Sequence, residues 1–319
     1  SGEMTDAESG VNNTAEPVTP PDVPKDGEQK TDPSSSFLRL SILLMPPFQT
    51  DHYLQLIKQC GATDVVAPVP EDGSLESLLA LKAKIEKHGL RLSVLERYWP
   101  HDKIVQGLPG RRKQIDDTKK LIKNMGIAGV PVLCYNWMQG SDWTRTTVTA
   151  ETRGQALVSG FDESGESIQI SGQAPVENAA SSEQLWANLK DFLVEVLPVC
   201  EQNNVSLSLH PDDPPMESLH GRDQIFYNAE MLERAVKLVP SPANGICLCQ
   251  GTLASAGDDI PAAIERLAPY INFIHFRDVI GTVPKFQEVC FDCFHAFHTI
   301  LSKKVIVLRL CCCLAGVAG

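Results

Sequence analysis

No run of about 18 uninterrupted apolar residues occurs in the chain, and a membrane-spanning helix needs roughly that many, so the sequence offers no span. An apolar segment of signal-peptide form is also missing, which argues against secretion. Basic surplus is absent too: 28 Lys and Arg stand against 40 Asp and Glu, for a net charge of −12. Without a clustered basic face, phosphate backbones are poor partners, and nucleic acid is excluded in favour of small molecules. What the ten cysteines lack is regular spacing. Cys60, Cys134, Cys200, Cys247, Cys249, Cys290, Cys293 and the consecutive Cys311, Cys312 and Cys313 sit largely within apolar runs. That pattern favours reduced thiols in a cytoplasmic protein over a disulfide scaffold. Finally, no Gly-rich phosphate turn follows the first strand-like segment, which weighs against a doubly wound dinucleotide fold.

What is present begins after an acidic leader. Residues 1–36 hold eight acids against Lys25 and Lys30, five prolines and no aromatic residue, and read as disordered. They carry half of the net charge, so the acidity does not belong to the folded part. From Phe37 onward β and α signals alternate: FLRLSILLM, TDVVAP, LRLSVLE, VPVLCYN and VSLSL read as strands one to five, with helices between them. Ser74 caps one helix, and another runs from Ser182 to Leu197 with Leu185, Leu189, Phe192 and Val196 on one stripe. ANGICLC and INFIHFRD read as strands six and seven, and CFHAFHTIL with KVIVLRL forms a weaker eighth unit. Eight such units in residues 37–310 predict an α/β fold, a (β/α)8 TIM barrel, incomplete or irregular at its last unit. The polar stretch 139–181 is an inserted excursion, and 311–319 is an apolar tail.

Three strands run directly into chemistry. LSLHPDDPP ends on His210, ANGICLC on Cys249 and INFIHFRD on His275, at intervals of 39 and 26 residues. Each gap suits one strand and its crossover helix, so parallel pairing brings all three to one rim of the sheet. Glu96 and Asn136 end strands three and four on that same rim, where a barrel keeps its active site. A lone histidine or cysteine beside an apolar run is ordinary core, but five polar strand ends in succession point to a metal site. Imidazole and thiolate favour a transition-metal ion over calcium. In the tail, Cys290, Cys293, His295 and His298 mimic a zinc motif, but the two pairs are spaced too closely for one.

Several ordered motifs carry a resemblance: CYNWMQGSDWTRT (Cys134 to Thr146), HPDDPP (His210 to Pro215), ANGICLC (Ala243 to Cys249), IHFRD (Ile274 to Asp278) and KFQE (Lys285 to Glu288). Together, from about Gly61 to Glu288, the chain resembles the mannonate dehydratase (UxuA-type) family, metal-dependent barrels of the xylose-isomerase-like kind. The resemblance implies dehydration of D-mannonate to 2-dehydro-3-deoxy-D-gluconate in hexuronate (glucuronate) catabolism, with Mn²⁺ or Fe²⁺ as cofactor. It implies His210, Cys249 and His275 as metal ligands and a small sugar acid as substrate. Arg277, Arg145, Asn136 and Asp212 are the candidate substrate-binding residues, and association into a homo-oligomer is left open. The family's RPDHG-like turn, whose Asp completes the metal site and whose His serves proton transfer, has no counterpart after Glu288, so no catalytic acid or base is named. The first strand, FLRLSILLM, likewise replaces a Trp-rich opening. Two alternatives follow: a barrel-derived protein without full turnover, because its last unit is lost, and a related sugar isomerase or epimerase.

Overall fold

The computed structural model describes residues 39–97, 99–140, 143–165, 168–169, 179–289 and 307–310. The acidic leader, the Cys290–His298 motif, the CFHAFHTIL segment and the apolar tail lie outside these residues.

Eight parallel strands close into a barrel: β1 (Arg39–Leu43), β2 (Asp64–Ala67), β3 (Arg91–Glu96), β4 (Val132–Tyr135), β5 (Ser206–Leu209), β6 (Asn244–Cys249), β7 (Ile271–Phe276) and β8 (Val307–Leu310). Each strand lies beside its sequence neighbours, and β8 pairs with both β7 and β1. The eighth unit is irregular in sequence, but the strand-like KVIVLRL contains β8, so β1 and β7 are both paired by it. The interior of the tube is filled by Val66, Val94, Val132, Cys134, Cys247 and Phe273, small or β-branched for the most part. Such residues fit because successive side chains on a strand point alternately into the tube and out towards the helices.

The surrounding helices start where a short polar side chain can take an orphan amide. Thr50 accepts from Tyr53 N to begin α1 (Asp51–Gln59), and Ser74 from Ser77 N to begin α2 (Leu75–Glu86). After β3 come α3 (Asp102–Gln106) and α4 (Arg111–Ala128). Ser181 and Gln184 form a reciprocal capping box at the head of α5 (Ser182–Gln202). That helix buries Leu185, Leu189, Phe192 and Val196 and continues beyond the predicted stop at Leu197. Pro198 removes one backbone donor, but burial of Leu197 and Cys200 carries the helix through. Asn228 caps α6 (Ala229–Leu238); α7 (Gln250–Ala256) starts directly from Cys249; Asp259 caps α8 (Ile260–Leu267).

The long stretch after β4 folds onto the carboxyl end of the barrel. Strands 147–151 and 157–162 join the hairpin 278–282/285–289 that follows β7, forming a four-stranded antiparallel sheet. Phe161 and Phe286 meet beneath it, ring centroids 5.9 Å apart. Gln139 ties the two ends of the stretch together: its amide donates to Ala180 O (2.9 Å) and accepts from Ala180 N (2.7 Å).

Candidate metal centre

Parallel register places the three strand-end residues side by side. Cys249 on β6 pairs with His275 on β7, and His210 follows the last residue of β5. Its amide donates to Tyr135 O at 2.7 Å, extending the β4–β5 ladder by one rung. The ligand atoms of His210, Cys249 and His275 lie within 4.8 Å of one another, and the two imidazole centroids are 4.8 Å apart.

Each group is prepared chemically. His210 directs Nδ1 at Pro211 O, 2.6 Å away, so Nδ1 carries the proton and Nε2 keeps its lone pair. Burial holds this imidazole below its ordinary pKa, although Glu96 and Asp213 favour the cation. A neutral, oriented imidazole is the ligand form. At Cys249, burial pushes the thiol up, but Arg277 and His275 outweigh it and hold the group below its ordinary value. Thr252 Oγ1 lies 3.0 Å from the sulfur and donates to it. His275 faces a carboxylate from the opposite wall, with Nε2 3.3 Å from Glu96 Oε2. Two imidazoles and a thiolate-biased sulfur, converging with a carboxylate in attendance, fit a borderline divalent transition metal.

Beside this cluster lies a lock of four charges. Arg145 Nη1 and Nη2 reach Asp213 Oδ1 and Oδ2 at 2.8 and 3.1 Å, and Nη2 also reaches Glu288 Oε1 at 2.8 Å. Arg277 Nη1 donates to Asp213 Oδ2 at 2.8 Å, and its Nη2 donates to Thr252 Oγ1 at 3.1 Å. Although burial alone would raise Asp213, the two guanidiniums hold it well below the usual carboxylate range. Gly251 makes room: a Cβ there would stand 2.6 Å from Arg277 Nε.

The candidate substrate residues are therefore placed unequally. Arg145 is fully buried, stacked between Trp143 and Phe286, and its hydrogen bonds go to protein groups rather than into an opening. Its carboxylate partners, Asp213 and Glu288, come from elsewhere in the chain. Arg277 lies nearer the ligands and retains slight exposure, 7%. Asp212 is buried, accepts from Phe226 N at 2.7 Å and is raised by burial to about 6, the position of a loop anchor. Asn136 is half-buried and accepts from Met138 N at 3.2 Å through Oδ1. Sequence reasoning missed Asp213 and Glu288 as partners of the arginines; the signal was their presence within HPDD and KFQE. It noted Glu96 only as a strand end.

Comparison with known proteins agrees with this architecture. A family model described as D-mannonate dehydratase (UxuA) matches residues 49–177 and 162–301, continuing past Glu288, where the sequence likeness was expected to stop. The mannonate dehydratase of Streptococcus suis (strain 05ZYH33) is 35% identical over 245 residues, covering 69% of this chain and 67% of that protein. That of Thermotoga neapolitana (strain ATCC 49049) is 36% identical over 269 residues, covering 73% of each. Among solved structures, mannonate dehydratase from Streptococcus suis serotype2 superposes with a TM-score of 0.76 at 31% identity, covering 86% of this chain and 83% of that one. D-Psicose 3-epimerase from Clostridium cellulolyticum H10 shares the fold alone, with a TM-score of 0.57 at 14% identity over 85% of this chain and 84% of that one. On the extent of the family match and the identity to its members, the chain belongs to the D-mannonate dehydratase family.

Proposed function

We propose that this chain is a metal-dependent hydro-lyase converting D-mannonate to 2-dehydro-3-deoxy-D-gluconate in hexuronate catabolism, with His210, Cys249 and His275 holding Mn²⁺ or Fe²⁺. The observation that carries the reading is the convergence of these three ligand atoms within 4.8 Å at the carboxyl rim of a barrel of this family. When bound, such an ion supplies Lewis acidity to a substrate carboxylate and hydroxyl. The chain's own groups do the rest. His210 and His275 present lone pairs from rigid strands, Asp213 fixes the Arg277 guanidinium beside Cys249, and Glu288 closes the lock from the neighbouring hairpin. In that position Arg277 orients the carboxylate of a sugar acid. Glu96 brings to the site the negative charge that an Asp of the last strand brings in the family.

Among the described residues no helix is long and apolar enough to cross a membrane. A cytoplasmic location and association into a homo-oligomer complete the proposal.

The test is a discontinuous assay for the 2-keto-3-deoxy acid on Mn²⁺- or Fe²⁺-loaded protein, with metal content measured in parallel. His210→Ala and His275→Ala each lose bound metal and product formation. Product forming no faster in the unmodified protein than in these variants would overturn the assignment.

A further inference from the structure

Below the rim, His275 also belongs to a second group of donors, whose two cysteines the proposed reaction does not use. The sulfurs of Cys134 and Cys247 and a nitrogen of His275 lie within 4.8 Å of one another, all three residues buried inside the barrel. Cys134 is on β4 and Cys247 on β6, with β5 between them. Neighbouring strands stand about 4.8 Å apart, so these two Cα atoms are separated by roughly 8–9 Å, beyond the ~7 Å reach of a disulfide. Both residues are thiols in the structure. Their side chains approach across the tube with nothing to join them covalently, the geometry that an ion with Zn–S-like bonds of about 2.3 Å would bridge. Glu96, in register with Cys134 and 3.3 Å from His275 Nε2, lies on the same level as a fourth donor.

We propose that Cys134, Cys247 and His275 form a second metal site, selective for soft thiophilic cations such as Cd²⁺, Zn²⁺ or Cu⁺, that competes with the rim site for His275. Selectivity follows from the donors. Two sulfurs and one nitrogen suit soft ions, whereas the rim offers one sulfur and two nitrogens. Each of the two thiols carries one proton, and hard ions bind sulfur poorly. A soft ion displaces those protons to solvent, one per thiol, because the metal–sulfur bonds outweigh the cost of deprotonation. An imidazole lone pair serves one ion at a time, so filling the inner site removes a ligand from the outer one.

The experiment is a Cd²⁺ titration of the metal-free full chain, read by ultraviolet thiolate-to-metal charge-transfer absorbance and by X-ray absorption for the number of sulfurs per Cd²⁺. The unmodified protein should show two sulfurs per ion. His210→Ala and Cys249→Ala should keep that signal, whereas Cys134→Val and Cys247→Val, apolar and near in volume, should each drop it to one sulfur. Cd²⁺ should also cut Mn²⁺ uptake at least tenfold in the unmodified protein and less in the Cys134→Val/Cys247→Val double variant. One sulfur per Cd²⁺ in the unmodified protein, with the signal lost in Cys249→Ala, would overturn the inner site and leave the rim assignment standing. The sulfur count is repeated on a chain with Cys290, Cys293, Cys311, Cys312 and Cys313 changed to Ser, so that the tail thiols add no sulfur, and that count decides the matter even if a core variant fails to fold.

Discussion

Asp213 is the point at which the charges beside the candidate metal centre balance, since both Arg145 and Arg277 donate to it and all three are buried. Removing one partner of a buried ion pair leaves uncompensated charge and costs about 3–5 kcal/mol. Asp213→Asn should therefore destabilise the fold by that order in urea melts at neutral pH; a change below about 1 kcal/mol would show that the lock contributes little. The pH dependence has a definite sign. Because the folded state holds Asp213 below its ordinary value, the unfolded chain binds the extra proton, and stability rises with pH through the acid range. The contribution is complete above an ordinary carboxylate pKa and is lost on acidification, so the unmodified protein should lose stability more steeply than Asp213→Asn below about pH 4. At this scale the convergence of the three candidate donors was legible in the sequence, because each sits where an apolar run stops. The role of Arg145 was not. Its carboxylate partners lie 68 and 143 residues away, a pairing that no local pattern encodes.

The start of α7 shows how an element holds the centre. This helix begins at Cys249 without a capping side chain, and Arg277 from beyond β7 lies across its first turn over Gly251. Gly251→Ala places a methyl group against Arg277, so the guanidinium must leave Asp213 or the helix must shift. The expected result is a KM for D-mannonate raised about tenfold or more with metal content unchanged, which steady-state kinetics and metal analysis check together; an unaltered KM would count against Arg277 as the carboxylate-holding group. Capping made one helix readable at its first turn, since Ser74 begins α2 as the sequence predicts. Helices α3 and α7 escaped notice because 5 and 7 residues are too few for a periodic stripe. Within the excursion, QALVSGF (residues 155–161) covers all but the last residue of strand 157–162, but the pairing of that strand with the hairpin after β7 is a long-range choice made by packing around Phe161 and Phe286.

For the whole molecule, closure depends on four residues. Val307–Leu310 pairs with β7 on one side and β1 on the other. Deleting 307–319 should expose both edges, and open parallel edges recruit other chains. Size-exclusion chromatography should then find the shortened protein in high-mass assemblies or in the void volume. A monodisperse product would mean that the seven remaining strands close or shield themselves. The alternation of strands and helices announced the barrel, and the apolar, β-branched KVIVLRL announced its closing strand, Val307–Leu310.

The sheet above the barrel also fixes an order of events during synthesis. Arg145 emerges long before Glu288, 143 residues later, and the hairpin carrying Glu288 must dock on strand 157–162 before the lock is whole. A contact of such sequence separation is slow to form. Until then a nascent chain holds an arginine that belongs in the interior without both of its counter-charges, so productive burial of the centre is deferred until nearly all of the barrel has left the ribosome.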